Sequence, residues 1–82
     1  MTQEEILAKV IEIVRPFAKN QEALDSVSEN TNILQDLKVN SARLVDIILE
    51  FEDAFNIEVE DEDADAVNTV GDAVRLIAVR VS

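Results

Sequence analysis

The chain has no cysteine and no histidine, and it has one glycine and one proline. Without cysteine no disulfide can form, and without cysteine or histidine a zinc site of the usual type is excluded. One glycine and one proline supply too little turn chemistry for a hairpin-rich β protein. Basic residues are scarce, seven against eighteen acids, for a net charge of -11. That balance excludes a general affinity for nucleic acid, which needs Lys and Arg against phosphate, and disfavours anionic membranes. No apolar run approaches a membrane span, and the N-terminus lacks the regions of a signal peptide, so the expected location is cytoplasmic. A chain without histidine also lacks the ordinary base for activating serine, and its many carboxylates mark no pocket for acid–base work. An enzyme is therefore not expected.

What is present is a single small domain over residues 1–82, in which hydrophobic residues make up 48%. A chain of this size buries only about 60% of the surface it exposes when unfolded, so its core is marginal. The richness in Ile, Val and Leu nevertheless argues against disorder, and packing must stabilise the fold without staples.

The apolar spacing is helical. Thr2 and Glu5 form a capping box, T-x-x-E, ahead of Ile6, Leu7, Val10, Ile11 and Val14. Pro16 should end or kink this first helix. Residues 17–40 read as a long ordered loop, in which 21–26 could form a helical turn and Ile33, Leu34, Leu37 and Val39 pin the chain to the core. Asn40 can cap a second long helix that starts at Ser41. Its expected buried face is Leu44, Val45, Ile48, Phe51 and Phe55, interrupted by Glu52, with Ile47 and Leu49 off that face. Asn56 suits a left-handed C-terminal position. A short helix over 61–66 follows, and Thr69 with Asp72 caps a last helix lined by Val70, Ala73, Val74, Ile77 and Val81. The expected fold class is all-α: a small bundle of three longer helices and one short helix, with a long ordered loop between the first two long helices.

Asp61, Asp63 and Asp65 have the alternating oxygens that open a calcium loop, but the glycine and terminal glutamate of such a loop are replaced by Ala66 and Asp72. No specific metal site is expected, only loose divalent binding. Ser41 is different. It stands in the opening turn of a helix, where free backbone N–H groups and the helix dipole favour a phosphate.

Asp36-Leu37-Lys38-Val39-Asn40-Ser41-Ala42, then Glu52-Asp53-Ala54-Phe55-Asn56-Ile57, then "DEDADAVNTVGDAV" over Asp61–Val74, together resemble the acyl carrier protein family. That family has D-L-G-x-D-S-L, a helix ending E-x-x-F-x-I, and D-E-D-A-x-x-I-x-T-V-G-D-A-I. The resemblance implies that a phosphopantetheinyl transferase attaches 4′-phosphopantetheine from coenzyme A to Ser41. The arm's thiol would then carry acyl groups as thioesters for fatty-acid, specialised lipid or polyketide-type biosynthesis. Ile48, Phe51, Ile57, Val70 and Ile77 are candidates to line a cavity for the acyl chain, or else ordinary core.

The implied partners are acyl-transferring and condensing enzymes with basic docking surfaces, which would read Ala42, Arg43, Asp46, Leu49, Glu50 and Asp53. A monomer is expected. Here the chain departs from the family pattern: Lys38 replaces its glycine, Asn40 its aspartate and Ala42 its leucine, while Arg43 stands where an acid is usual. Arg43 could pair with Asp46, and the departures point to dedicated partners. The alternatives are an unmodified acidic helical interaction module and an aminoacyl or peptidyl carrier.

Overall fold

In a computed structural model, which describes residues 2–81, helix α1 spans Gln3–Val14. Its capping box is formed as the sequence implies: Thr2 Oγ1 accepts from the Glu5 N–H at 3.2 Å, and the Glu5 carboxylate accepts from the Thr2 N–H at 3.2 Å. Pro16 converts the chain to a single 3₁₀ turn, Arg15–Phe17, instead of further α-helix. The loop that follows holds a short helix α2, Gln21–Asp25, capped by the Asn20 side chain. A 3₁₀ turn at Ser41–Arg43 leads into α3, Leu44–Phe55. Asn56 closes α3 at φ 54, the left-handed position expected of it. Helix α4 spans Asp61–Asp65 and α5 spans Val70–Val81.

The core is built where α1 meets α3 and α5. Ile6, Val10 and Val14 of α1 face Val70, Ala73, Val74 and Ile77 of α5 and Ile47, Ile48, Phe51 and Phe55 of α3. Each fully buried Ile, Val or Phe contributes roughly 1.5–3 kcal/mol relative to exposure, which is how so small a chain stays folded. Ile33, Leu37 and Val39 of the loop are buried in the same cluster, and Leu34 packs against it.

The buried face of α3 differs from the expected one. Ile48, Phe51 and Phe55 are buried and Leu49 is off the face as expected, but Ile47 is fully buried and Val45 is 64% exposed. Glu52 interrupts the apolar pattern because its carboxylate accepts the Val59 N–H at 3.0 Å, fixing the chain that leaves α3.

The loop is joined to the start of α5 by backbone hydrogen bonds. Thr31 and Glu29 carbonyls accept the N–H groups of Val70 and Gly71, each at 2.9 Å, and the Ile33 N–H donates to the Asn68 carbonyl at 2.9 Å. Asp72 completes the α5 cap by accepting the Asn68 and Thr69 N–H groups at 3.1 Å, while Thr69 Oγ1 accepts the Asp72 N–H. The free donors of the first turn of α5 are thus met by the loop and by this cap.

Candidate functional site

The segment before Ser41 is anchored on both sides of an exposed lysine. Leu37 and Val39 are buried, and Lys38 between them turns outward at φ 57. The Asn20 N–H donates to the Leu37 carbonyl at 3.1 Å, and the Asn20 side chain donates to the Asp36 carbonyl at 3.0 Å. Asn40 then caps the turn: its Oδ1 accepts the Ala42 N–H at 2.9 Å and its carbonyl the Arg43 N–H at 2.8 Å. Because Asn40 supplies the cap, Ser41 is not needed for it. Ser41 stands exposed on a turn held from both ends, in the opening of a helix whose dipole favours negative charge there.

Ser41 also borders a groove of 200 Å³ between α3 and α4. Leu44, Val45, Ile48 and Leu49 line it from α3, Val59 from the connecting segment and Ala64 from α4, together with the carboxylates of Glu52, Asp61 and Asp65. Of the five cavity candidates only Ile48 lies there. Phe51, Val70 and Ile77 are at most 1% exposed in the filled core, and Ile57 is half-buried against it, so these four are core residues and not groove walls. Val45, assigned from sequence to the buried face, is instead a groove residue beside Ser41. Its signal was present but ambiguous, since Val45, Ile47, Ile48 and Leu49 are all apolar and fit more than one rotation of the helix.

The residues expected to meet partners follow three- and four-residue steps along α3 and the turn that opens it. Ala42, Arg43, Leu49, Glu50 and Asp53 are exposed and Asp46 is half-buried. Leu49 belongs to the groove facing α4, whereas Glu50 lines a separate hollow with Lys9, Glu12, Ile13 and Phe17 of the α1 side. Arg43 pairs with Asp46 at 3.0 Å, as its spacing suggests. Lys19, which the sequence reading does not single out, lines a further hollow with Asn40 and Arg43.

The acid run does not make a calcium loop. Asp61, Asp63 and Asp65 lie in or line α4, Asp63 pairs with Arg80 of α5, and Asp72 is engaged in the α5 cap. Among the described residues no three acids gather to hold a metal. Two carboxyls have pKa values held below the ordinary range. For Asp72 the first cause is the Thr69 backbone N–H, then that of Asn68; for Glu5 it is the Thr2 backbone N–H. Both are capping groups, not catalytic ones. No helix among the described residues is long and apolar enough to cross a membrane.

The family described as "Phosphopantetheine attachment site" matches residues 5–77. An acyl carrier protein of Lactobacillus acidophilus is 44% identical over 78 residues, covering 94% of each chain. One from Prochlorococcus marinus is 40% identical over 82 residues, covering 98% of each. Among solved structures, an acyl carrier protein from Enterococcus faecalis, described for its high thermal stability, superposes with a TM-score of 0.80 at 39% identity, over 98% of this chain and 99% of that one. The chain belongs to the acyl carrier protein family: it is an acyl-carrying protein and not an enzyme, with 4′-phosphopantetheine as its cofactor and biosynthetic enzymes and a phosphopantetheinyl transferase as its partners.

Proposed function

We propose that Ser41 is the attachment serine and that this carrier serves dedicated acyl-transferring and condensing enzymes of a fatty-acid, specialised lipid or polyketide-type pathway. The observation that carries the reading is the placement of Ser41: exposed on a turn capped by its neighbour Asn40, at a groove lined by apolar side chains and by the carboxylates of Glu52, Asp61 and Asp65. In the modification Ser41 Oγ forms a bond to the phosphorus that bears the pantetheine. The pyrophosphate bond of coenzyme A breaks, adenosine 3′,5′-bisphosphate leaves, and the hydroxyl proton passes to a base of the transferase. The bound arm supplies a thiol, and hence thioester chemistry, to a chain without cysteine.

This chain's residues then position and present the arm. Leu37, Val39 and Asn40 fix the turn, and the N-terminus of α3 favours the phosphodiester's charge. Val45, Ile48 and Leu49 offer apolar surface to whatever the thiol carries. Asp46, Glu50 and Asp53 would steer basic docking surfaces, while Ala42 and Arg43 narrow which surfaces fit. The same reading makes the protein a cytoplasmic monomer without nucleic-acid or membrane affinity, in keeping with its charge of -11. Incubation with coenzyme A and a broad-specificity phosphopantetheinyl transferase, followed by peptide mapping, should place all of the added mass on the peptide that contains Ser41. Added mass on any other serine would contradict the assignment.

A further inference from the structure

A hollow of 480 Å³ beside the Ser41 turn is lined by Pro16, Phe17, Ala18, Lys19, Asn40 and Arg43. Two of these six residues are cations and none is an acid, in a chain with eighteen acids and seven bases. The hollow thus presents two cations on a molecule of net charge -11, with Asp46 paired to Arg43 at 3.0 Å. Lys19 and Arg43 line the same hollow, and Asn20, next to Lys19, is hydrogen-bonded to the Asp36 and Leu37 carbonyls, which ties the end of the α1 region to the segment before Ser41. Both cations are exposed. Arg43 spends one guanidinium nitrogen on Asp46 and retains further donors, while Lys19 has no ion-pair partner among the described residues. Half-buried Phe17 and exposed Pro16 add apolar surface.

We propose that Lys19 and Arg43 form a cationic seat beside Ser41 that takes a carboxylate side chain on the docking enzyme. The seat rests on the carrier reading above and deepens it by defining the partner. A surface that presents only basic residues is repelled at this point even as the acids of α3 attract it, whereas one with a carboxylate opposite the seat gains on both counts. Partner choice is thus set by a residue of the loop after α1 together with one of the Ser41 turn.

The test compares loaded wild type with Lys19→Gln, Arg43→Gln and Gln3→Glu as substrates of a condensing enzyme that docks carriers through a basic surface. Lys19→Gln and Gln3→Glu make the same change in net charge, but Gln3 lies at the opposite end of α1. Lys19→Gln and Arg43→Gln should each lower KM by about two- to fivefold at low salt with kcat unchanged, and the gain should fade as salt rises. Gln3→Glu should move KM less than either. In a second arm, docking cations of the condensing enzyme are replaced singly by Glu, and at least one replacement should make wild type the preferred substrate over Lys19→Gln. Equal KM for Lys19→Gln and Gln3→Glu, or no Glu replacement that favours wild type, would overturn the seat alone. A chain that takes no arm from coenzyme A would overturn the carrier reading and the seat with it.

Discussion

The Gly71 N–H donates to the Glu29 carbonyl at 2.9 Å, and a Cβ on Gly71 would stand 2.8 Å from that same oxygen. The glycine is therefore required by close approach of two backbones, not by an unusual dihedral angle. Gly71→Ala should gain up to about 1 kcal/mol of helix propensity but lose more by pushing the loop from α5. We expect a net destabilisation of about 1–3 kcal/mol, read as a fall in Tm of at least about 4 °C. An unchanged or raised Tm would mean that the loop yields without cost.

Lys38 presents the opposite case. It holds φ 57, a conformation that costs an ordinary L-residue about 1–2 kcal/mol, at the position where the family pattern has glycine. Lys38→Gly should raise stability by about 0.5–1 kcal/mol, after the greater unfolded-state entropy of glycine is deducted. Denaturant titration would show it as a higher midpoint with unchanged slope.

These two residues also mark how far the sequence could be read. Thr2 with Glu5, Asn56, and Thr69 with Asp72 announce their helix ends because a cap is a local pattern of a few residues. The Asn40 cap ahead of Ser41 is legible because it is local too. The pairing of Glu29 and Thr31 with Gly71 and Val70 is not, since it joins segments distant in sequence and leaves no periodicity. The phase of α3 is legible at Ile48, Phe51 and Phe55 but not at its start: with Val45, Ile47 and Ile48 all apolar, packing buries Ile47 and leaves Val45 exposed. Helix α2 is legible only as a turn, being five residues long and held by the Asn20 cap. Lys19 is silent in sequence because the hollow it lines with Arg43 joins segments distant in sequence.

Stability should depend on pH through Asp72. Its folded pKa is depressed, chiefly by the Thr69 and Asn68 backbone N–H groups, so its contribution is present above the unfolded carboxyl value and is lost as pH falls through the folded one. Wild type should therefore melt above Asp72→Asn at neutral pH, with the gap closing on acidification. A gap that stays constant down to low pH would show that the charge of Asp72 is not what stabilises the cap.

Salt should stabilise the unmodified protein. Three exposed ion pairs are formed among the described residues, against a net charge of -11 on a molecule 32 Å in its longest extent. From about 0.01 M to 1 M monovalent salt the screening length falls from about 30 Å to 3 Å, from the whole molecule to neighbouring side chains. Tm should rise across that range by several degrees, and further in millimolar calcium or magnesium. A flat titration would mean that self-repulsion does not limit stability.

The attachment of the arm to Ser41 is tested most directly by intact mass. Wild type and Ser41→Ala are each incubated with coenzyme A and a broad-specificity phosphopantetheinyl transferase, and circular dichroism is recorded alongside. Because Asn40 and not Ser41 caps the turn before α3, the variant should keep its helical spectrum and melt within about 0.5 kcal/mol of wild type. Wild type should gain the mass of one phosphopantetheine and one free thiol, and Ser41→Ala neither. A coenzyme-A-dependent mass gain in the folded Ser41→Ala protein, or none in wild type, would contradict the assignment.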